Sequence, residues 1–333
     1  MEGFLKREGE DEKRPVFAFL AEPGLEFSDW ESVALGRKRY RELLGSAKYV
    51  STALTADGLA DLYGEWQPSD DQILFLFENT FDPFIPKKQG LVSTKSNIVP
   101  VVIDRLALHE SGPHWISGDT ARLDLVLVEP RWAIWSASSL LGEIAPENCI
   151  VPGEEGIVYW YRRKRYMVNA LHTAIAFLGY GYLRELGYRN KRNSSHAFPL
   201  VVETTLASPR NRRLLDVLVR AQATRLLIET RMEKASIPQD NGDRTFESLV
   251  ETGNEAIQRF RKFPDELSRV LRQDDAKKRL DRLSEQIVSL GDFVNSPENQ
   301  EEWWKATQSP GRPALPEVRA VVDDLRSVAM SII

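Results

Sequence analysis

"RRKRYMVNALHTAIAFLGYGYL", residues 162–183, joins four consecutive cations to a long apolar run. Inside it stands the spacing K-x4-N-x2-H: Lys164, Asn169 and His172. Apolar residues then recur at helical intervals, at Met167, Leu171, Ile175, Leu178, Tyr182 and Leu186. On a regular α-helix Asn169 stands about 140°, and His172 about 80°, around the axis from Lys164. Asn169 and His172 are i,i+3 neighbours and share a face. A lysine acts as a general base when burial or nearby cations lower its pKa, and Arg162, Arg163 and Arg165 flank this one. An asparagine amide can donate to a developing oxyanion, and a histidine can orient a carbonyl or hydroxyl. The plainer reading is a solvated basic helix start before an ordinary core helix. Spacing alone leaves both open.

Upstream of this stretch the pattern is α/β; downstream it is helical. Residues 1–14 are highly charged and read as disordered. "PVFAFLA" (15–21), "KYVSTAL" (48–54) and "QILFLF" (72–77) read as strands, with helices expected over 28–47 and around 57–66. That order predicts a small parallel sheet. "IVPVVIDRLAL" (98–108) and "RLDLVLVE" (122–129) are further strands, while "GIVYWYRR" (156–163) fits a strand or a first helical turn. Helices are expected over 199–235, 244–262, 264–290 and 315–331, with a polar, Gly- and Pro-containing tail over 295–313. The expected domains are a disordered 1–14, a reduced Rossmann-like α/β domain over 15–155, and an all-α domain over 156–333.

The chain has 333 residues, 42% hydrophobic and 28% charged, with a net charge of −5. Nothing in that balance points to nucleic acid. A single cysteine, Cys149, excludes an internal disulfide and a Cys-based metal cluster. The N-terminus lacks the apolar core of a signal peptide, and no apolar run approaches the roughly 20 residues of a membrane span. The expectation is a cytoplasmic protein with a small-molecule substrate, no nucleic-acid or membrane partner, and no metal.

Five segments together resemble the polyol-specific long-chain dehydrogenases: mannitol dehydrogenase, mannitol-1-phosphate 5-dehydrogenase, and the fructuronate and tagaturonate reductases. They are "AKYVSTALTADGL" (47–59), "ILFLFENTFDPF" (73–84), "IVPVVIDRLAL" (98–108), "LVLVEPRWAIW" (125–135) and the K-x4-N-x2-H stretch, in the family's order. "AIQRFRKFPDELSRVLRQDDAKKRLDRL" (256–283) continues the similarity. The resemblance implies Lys164 as general base or acid at the carbinol. It implies Asn79 and Asn169 as donors to the carbonyl oxygen, His172 as its positioner, and Asp104, Arg105 and Glu78 as substrate-side or supporting residues. It also implies a nicotinamide cofactor, NAD(P), and a mannitol-dehydrogenase type of helical C-terminal domain.

The cofactor half is where the chain departs from that family. Only 46 residues precede "AKYVSTAL", and no G-x-G-x-x-G occurs. After "VFAFLA" comes "EPGLEFSD", with one glycine and with Glu22 where a pyrophosphate would approach. Three readings follow: a divergent dehydrogenase, a non-redox enzyme that enolises a sugar acid, or a binding protein that keeps the fold.

Weaker signals lie elsewhere. Arg189, Asn190 and His196 have an R-x6-H spacing similar to that of HEPN ribonucleases, in an Asn- and Ser-rich loop. His109 and His114 read as loop residues and not as metal ligands. The pair Trp303–Trp304 is expected to pack the tail onto the core, with at least one ring exposed.

Overall fold

The apolar run "ILFL" is the middle strand of the parallel part of a five-stranded sheet in the computed structural model of the protein. The structure describes residues 2–7, 14–17, 44–52, 62–64, 66–77, 84–88, 90–93, 96–104, 107–109, 114–115, 122–128, 133–136, 149–150, 153–186, 201–232, 245–262 and 283–332. The chain divides into two units, Met1–Tyr161 and Arg162–Ile333. The second unit therefore begins six residues after the boundary expected from the sequence.

In the first unit, β1 (Glu2–Arg7) and β2 (Arg14–Phe17) form an antiparallel pair, with Glu2 opposite Phe17 and Leu5 opposite Arg14. This corrects the expectation of disorder for residues 2–7 and 14; the rest of 1–14 lies outside the described residues. Gly3-Phe4-Leu5 supplies a short strand-forming core that the flanking charges conceal. β1 also runs parallel to β8 (Arg122–Val128), which pairs antiparallel with β6 (Ala107–His109) and β7 (His114–Trp115). His109 and His114 are thus strand positions, not loop positions. β2 belongs to this sheet and not to the parallel one, contrary to the β-α-β-α-β reading.

The second sheet has the order β10-β9-β5-β4-β3. β3 (Tyr49–Thr52), β4 (Ile73–Leu76) and β5 (Asn97–Asp104) are parallel. β9 (Ala133–Ser136) runs antiparallel to β5, and β10 (Cys149–Ile150) runs parallel to β9. Both faces of the parallel part are apolar, which explains the near-continuous run of "ILFL". Leu74, Leu76, Val50 and Ile98 pack with Leu44, Tyr63 and Val92 on one side, and Phe75, Val99 and Val101 pack on the other. Gln72, buried before β4, donates to the carbonyls of Leu44 and Ala47, both at 2.6 Å, and so fixes the turn that enters β3.

β5 changes partner midway. Asn97–Pro100 pair with Ile73–Leu76, and Val101–Asp104 pair with Ser136–Ala133. Pro100 stands at the changeover, where its missing N–H removes least from the ladder. A short helix, α1 (Ile85–Lys88), lies between β4 and β5 in sequence.

α2 (Gly153–Lys164) resolves the ambiguity of "GIVYWYRR" in favour of a helix. Ile157 and Tyr161, four residues apart, pack with Val102. The second unit consists of helices among its described residues. α3 (Ala170–Glu185) is the apolar helix read from the sequence; Leu171, Ile175 and Leu178 are buried, whereas Leu186 follows its end and is exposed. α4 (Val201–Ala207), α5 (Pro209–Met232) and α6 (Phe246–Lys262) follow, then α7 (Ser289–Asn295), α8 (Pro297–Thr307) and α9 (Leu315–Ile332). The expected polar tail is largely α8. Pro297 suits its first turn, and Trp303 and Ala306 form a buried i,i+3 edge on an otherwise polar helix. Trp303 donates to the Pro313 carbonyl at 3.1 Å, while Trp304 is exposed. An α/β unit followed by an all-helical one is the fold class expected from the sequence. No described helix is long and apolar enough to cross a membrane.

Candidate functional site

Two π turns interrupt the helices of the second unit, and the sequence announced neither. The first, Arg165–Asn169, lies between α2 and α3; the second, Ser284–Val288, precedes α7. In the first, the Ala170 N–H donates to the Arg165 carbonyl, an i→i+5 bond. Such single π turns are frequent at functional sites.

The π turn changes the geometry of the K-x4-N-x2-H spacing. An i→i+5 closure puts residue i+5 where i+4 stands in an α-helix, about 40° around the axis. Asn169 therefore lies about 40° from Lys164 instead of about 140°, and His172, three α-helical residues on, falls about 20° to the other side. Three residues that a regular helix would spread over some 140° share a sector of about 60°. Lys164, Asn169 and His172 are all partly buried. The His172 ring stacks on Phe260 of α6, with centroids 4.4 Å apart and planes 15° from parallel.

The basic run is not a solvated helix start. Arg163 is buried and donates to the Thr252 hydroxyl at 3.0 Å; Arg162, Lys164 and Arg165 are half-buried. Arg162 and Tyr166 lie on the side of the helix away from Lys164 and converge on Glu229 of α5. The Tyr166 hydroxyl is 2.9 and 3.1 Å from the two Glu229 oxygens, and the Arg162 Nε is 3.7 Å from one of them. Arg225 donates to Glu229 at 2.8 Å and to the Ser289 hydroxyl at 3.0 Å, and its guanidinium lies 4.3 Å from the Tyr166 ring centroid. Burial pushes the Tyr166 phenol up to about 12, with Arg225 opposing and Glu229 adding to the rise. Burial likewise lowers Arg165 to about 10.

The two π turns are tied together by side chains. Arg165 donates to the Glu285 carbonyl, and Gln222 donates to the Gln286 carbonyl at 3.1 Å. The Thr173 hydroxyl meets Gln286 Oε1 at 2.6 Å, and the Ser289 hydroxyl donates to the Glu285 carbonyl at 2.7 Å. Widening a helical turn loosens its carbonyls from their usual donors. Here polar side chains supply donors to two of them.

Of the other residues expected at the site, Glu78, Asn79 and Arg105 lie outside the described residues, as do Glu22, Gly24, Arg189, Asn190 and His196. Asp104 ends β5 opposite Ala133. Among the described residues, no group of three His, Cys, Asp or Glu side chains is arranged to hold a metal.

A nicotinamide dinucleotide lies across the C-terminal ends of parallel strands, with its pyrophosphate on a Gly-rich turn. At that end of β4, the Tyr161 hydroxyl is 3.3 Å from the Leu76 carbonyl and 3.1 Å from the Val101 carbonyl. The glycine pattern is missing from the sequence, and residues 53–61 and 78–83, which follow β3 and β4, lie outside the described residues.

No protein-family model matches the chain, and no curated protein matches it. Solved structures similar to it include mannitol 2-dehydrogenase of Pseudomonas fluorescens, in a complex with NAD and D-mannitol, at 12% identity and TM-score 0.46 over 89% of this chain and 76% of that one. D-mandelate dehydrogenase with NADH and anilino(oxo)acetate is similar at 11% identity and TM-score 0.44, over 86% and 77%. Ketopantoate reductase of Staphylococcus aureus is similar at 10% identity and TM-score 0.41, over 88% and 81%.

Proposed function

We propose that the chain acts on a polyol, sugar acid or related hydroxy or keto compound, as a relative of the polyol dehydrogenases. In this reading Lys164 is the general base or acid, Asn169 and Asn79 donate to the substrate oxygen, and His172 orients it. Asp104, Arg105 and Glu78 support the substrate side. The observation that supports the reading is the π turn that gathers Lys164, Asn169 and His172 into one sector of the helix. Proton transfer at a carbinol or α-carbon needs a base and an oxygen donor within reach of one substrate, and a regular helix would separate them.

A second reading follows from the missing glycine pattern. The chain lacks the Gly-rich turn that cradles a dinucleotide pyrophosphate. Proton transfer without hydride transfer, as in enolisation of a keto-sugar acid, uses the same lysine and amides. Calorimetric titration with NADH and NADPH separates the two. Saturable binding supports the dehydrogenase, whereas no heat up to millimolar nucleotide removes it. Deuterium uptake by keto-sugar acids in heavy water, lost in Lys164→Met, supports enolisation. Absence of both in a folded protein leaves a binding protein.

A further inference from the structure

We propose that Tyr166, Arg225 and Glu229 are positioning residues, which hold the first π turn open from behind and so keep Lys164 and Asn169 on one side of the helix; this rests on the functional reading above. A π turn is less favourable than the α-helix it interrupts, because its hydrogen bonds are poorer and one residue is in excess. Something must hold it. The described contacts lie on the face away from Lys164. The Tyr166 hydroxyl reaches both Glu229 oxygens at 2.9 and 3.1 Å, and Arg225 covers the Tyr166 ring at 4.3 Å while bonding Glu229 at 2.8 Å. Arg225 is 9% and Glu229 14% exposed, so water competes weakly for these bonds.

The same network reaches the second π turn. Arg225 bonds Ser289 at its end, and Arg165, next to Tyr166, bonds the Glu285 carbonyl within it. If the Tyr166 anchor is lost, relaxation of residues 165–169 toward α-helical winding rotates Lys164 about 100° away from Asn169. The device thus acts through the backbone, and no member of it need touch substrate.

The test uses Tyr166→Phe, which removes the anchoring hydroxyl but changes no charge at neutral pH. The full chain is reductively methylated with carbon-13, and Lys164 is assigned by its loss in Lys164→Arg. The expected result is a shift of the Lys164 titration midpoint by about half a pH unit or more. Lys305, held by Glu301 and Glu302 on α8, should keep its midpoint. An unmoved Lys164 in a folded Tyr166→Phe protein overturns the proposal. Should Tyr166→Phe fail to fold, Arg225→Lys conserves the charge while removing the planar stack and is read the same way. The experiment needs no substrate. Failure of the functional reading appears instead as Lys164→Met matching the native protein in deuterium exchange and ligand binding.

Discussion

The imidazole of His172 lies flat on the ring of Phe260, with centroids 4.4 Å apart and planes 15° from parallel. Phe260 is 2% exposed, so the ring works both as core and as the floor under His172. The two roles separate by substitution. Phe260→Ala should destabilise the protein by about 3–5 kcal/mol, the cost of an emptied aromatic site. Phe260→Leu refills most of the volume and should cost about 1 kcal/mol, while removing the flat support. Denaturant titration measures the stability. In the functional reading, Phe260→Leu should also lower turnover more than its small stability loss explains. Equal activity in Phe260→Leu and the native protein would show that the stack does not orient His172.

Tyr161 offers a prediction confined to the first unit. Its hydroxyl is 3.1 Å from the Val101 carbonyl and 3.3 Å from that of Leu76, beside the point where β5 changes partner. Tyr161→Phe leaves the ring in its contact with Val102 and Ile157 but takes the donor away. Leaving a buried carbonyl short of a donor costs about 1–3 kcal/mol. The expected loss is about 1–2 kcal/mol, read by denaturant titration.

What was readable in the sequence had strong local patterning. "ILFL", "IVPVVID" and "LVLV" are strands because runs of branched and aromatic residues have no helical period. α3 is visible from the 3.6-residue recurrence of Leu171, Ile175 and Leu178, and α5 from that of Leu214, Leu215, Val217 and Leu218. β1 was missed because Gly3-Phe4-Leu5 is short and sits among charges, and its pairing with β8 spans more than a hundred residues. α8 was missed because one buried edge, Trp303 and Ala306, is too sparse for a periodic signal. The site was only half legible. The identities of Lys164, Asn169 and His172 stood in the spacing, but their common sector depends on a π turn. That turn is held by Glu229 and Arg225, about sixty residues further along, and no local propensity encodes it.

Gly253 on α6 faces the first π turn. A Cβ there would stand 2.8 Å from Val219 Cγ1, 3.1 Å from Met167 Cε and 3.3 Å from Leu171 Cδ1. Val219 is β-branched and buried, so it yields poorly; Met167, inside the π turn, yields more easily. Gly253→Ala gains about 1 kcal/mol of helix propensity but incurs overpacking of about 1–3 kcal/mol. The net expectation is a loss of about 1 kcal/mol by thermal or denaturant unfolding. Gly64→Ala, where nothing lies within 4 Å of the added carbon, should not destabilise. A stabilised Gly253→Ala would mean that the helices separate without strain.

Tyr166 should ionise well above the ordinary phenol range. Burial, the largest cause, pushes its phenol up to about 12, Glu229 adds to the rise, and Arg225 opposes it. The folded chain keeps a proton that the unfolded chain gives up near 10. This contribution is therefore fully present below about pH 10 and is lost as pH rises through about 12. Arg165 acts in the opposite sense. Its folded pKa is lowered to about 10, chiefly by burial, so over the same window the unfolded chain holds the extra proton and stability rises. The two effects oppose each other, and alkaline unfolding is a poor reporter of either. Phenolate absorbance is specific. In the folded protein Tyr166 should titrate near 12, and Tyr166→Phe should remove its step. Glu229→Gln should move the step to lower pH, because it takes away a charge that disfavours the phenolate. A Glu229→Gln step that stays in place or moves up would show that the carboxylate does not govern the phenol.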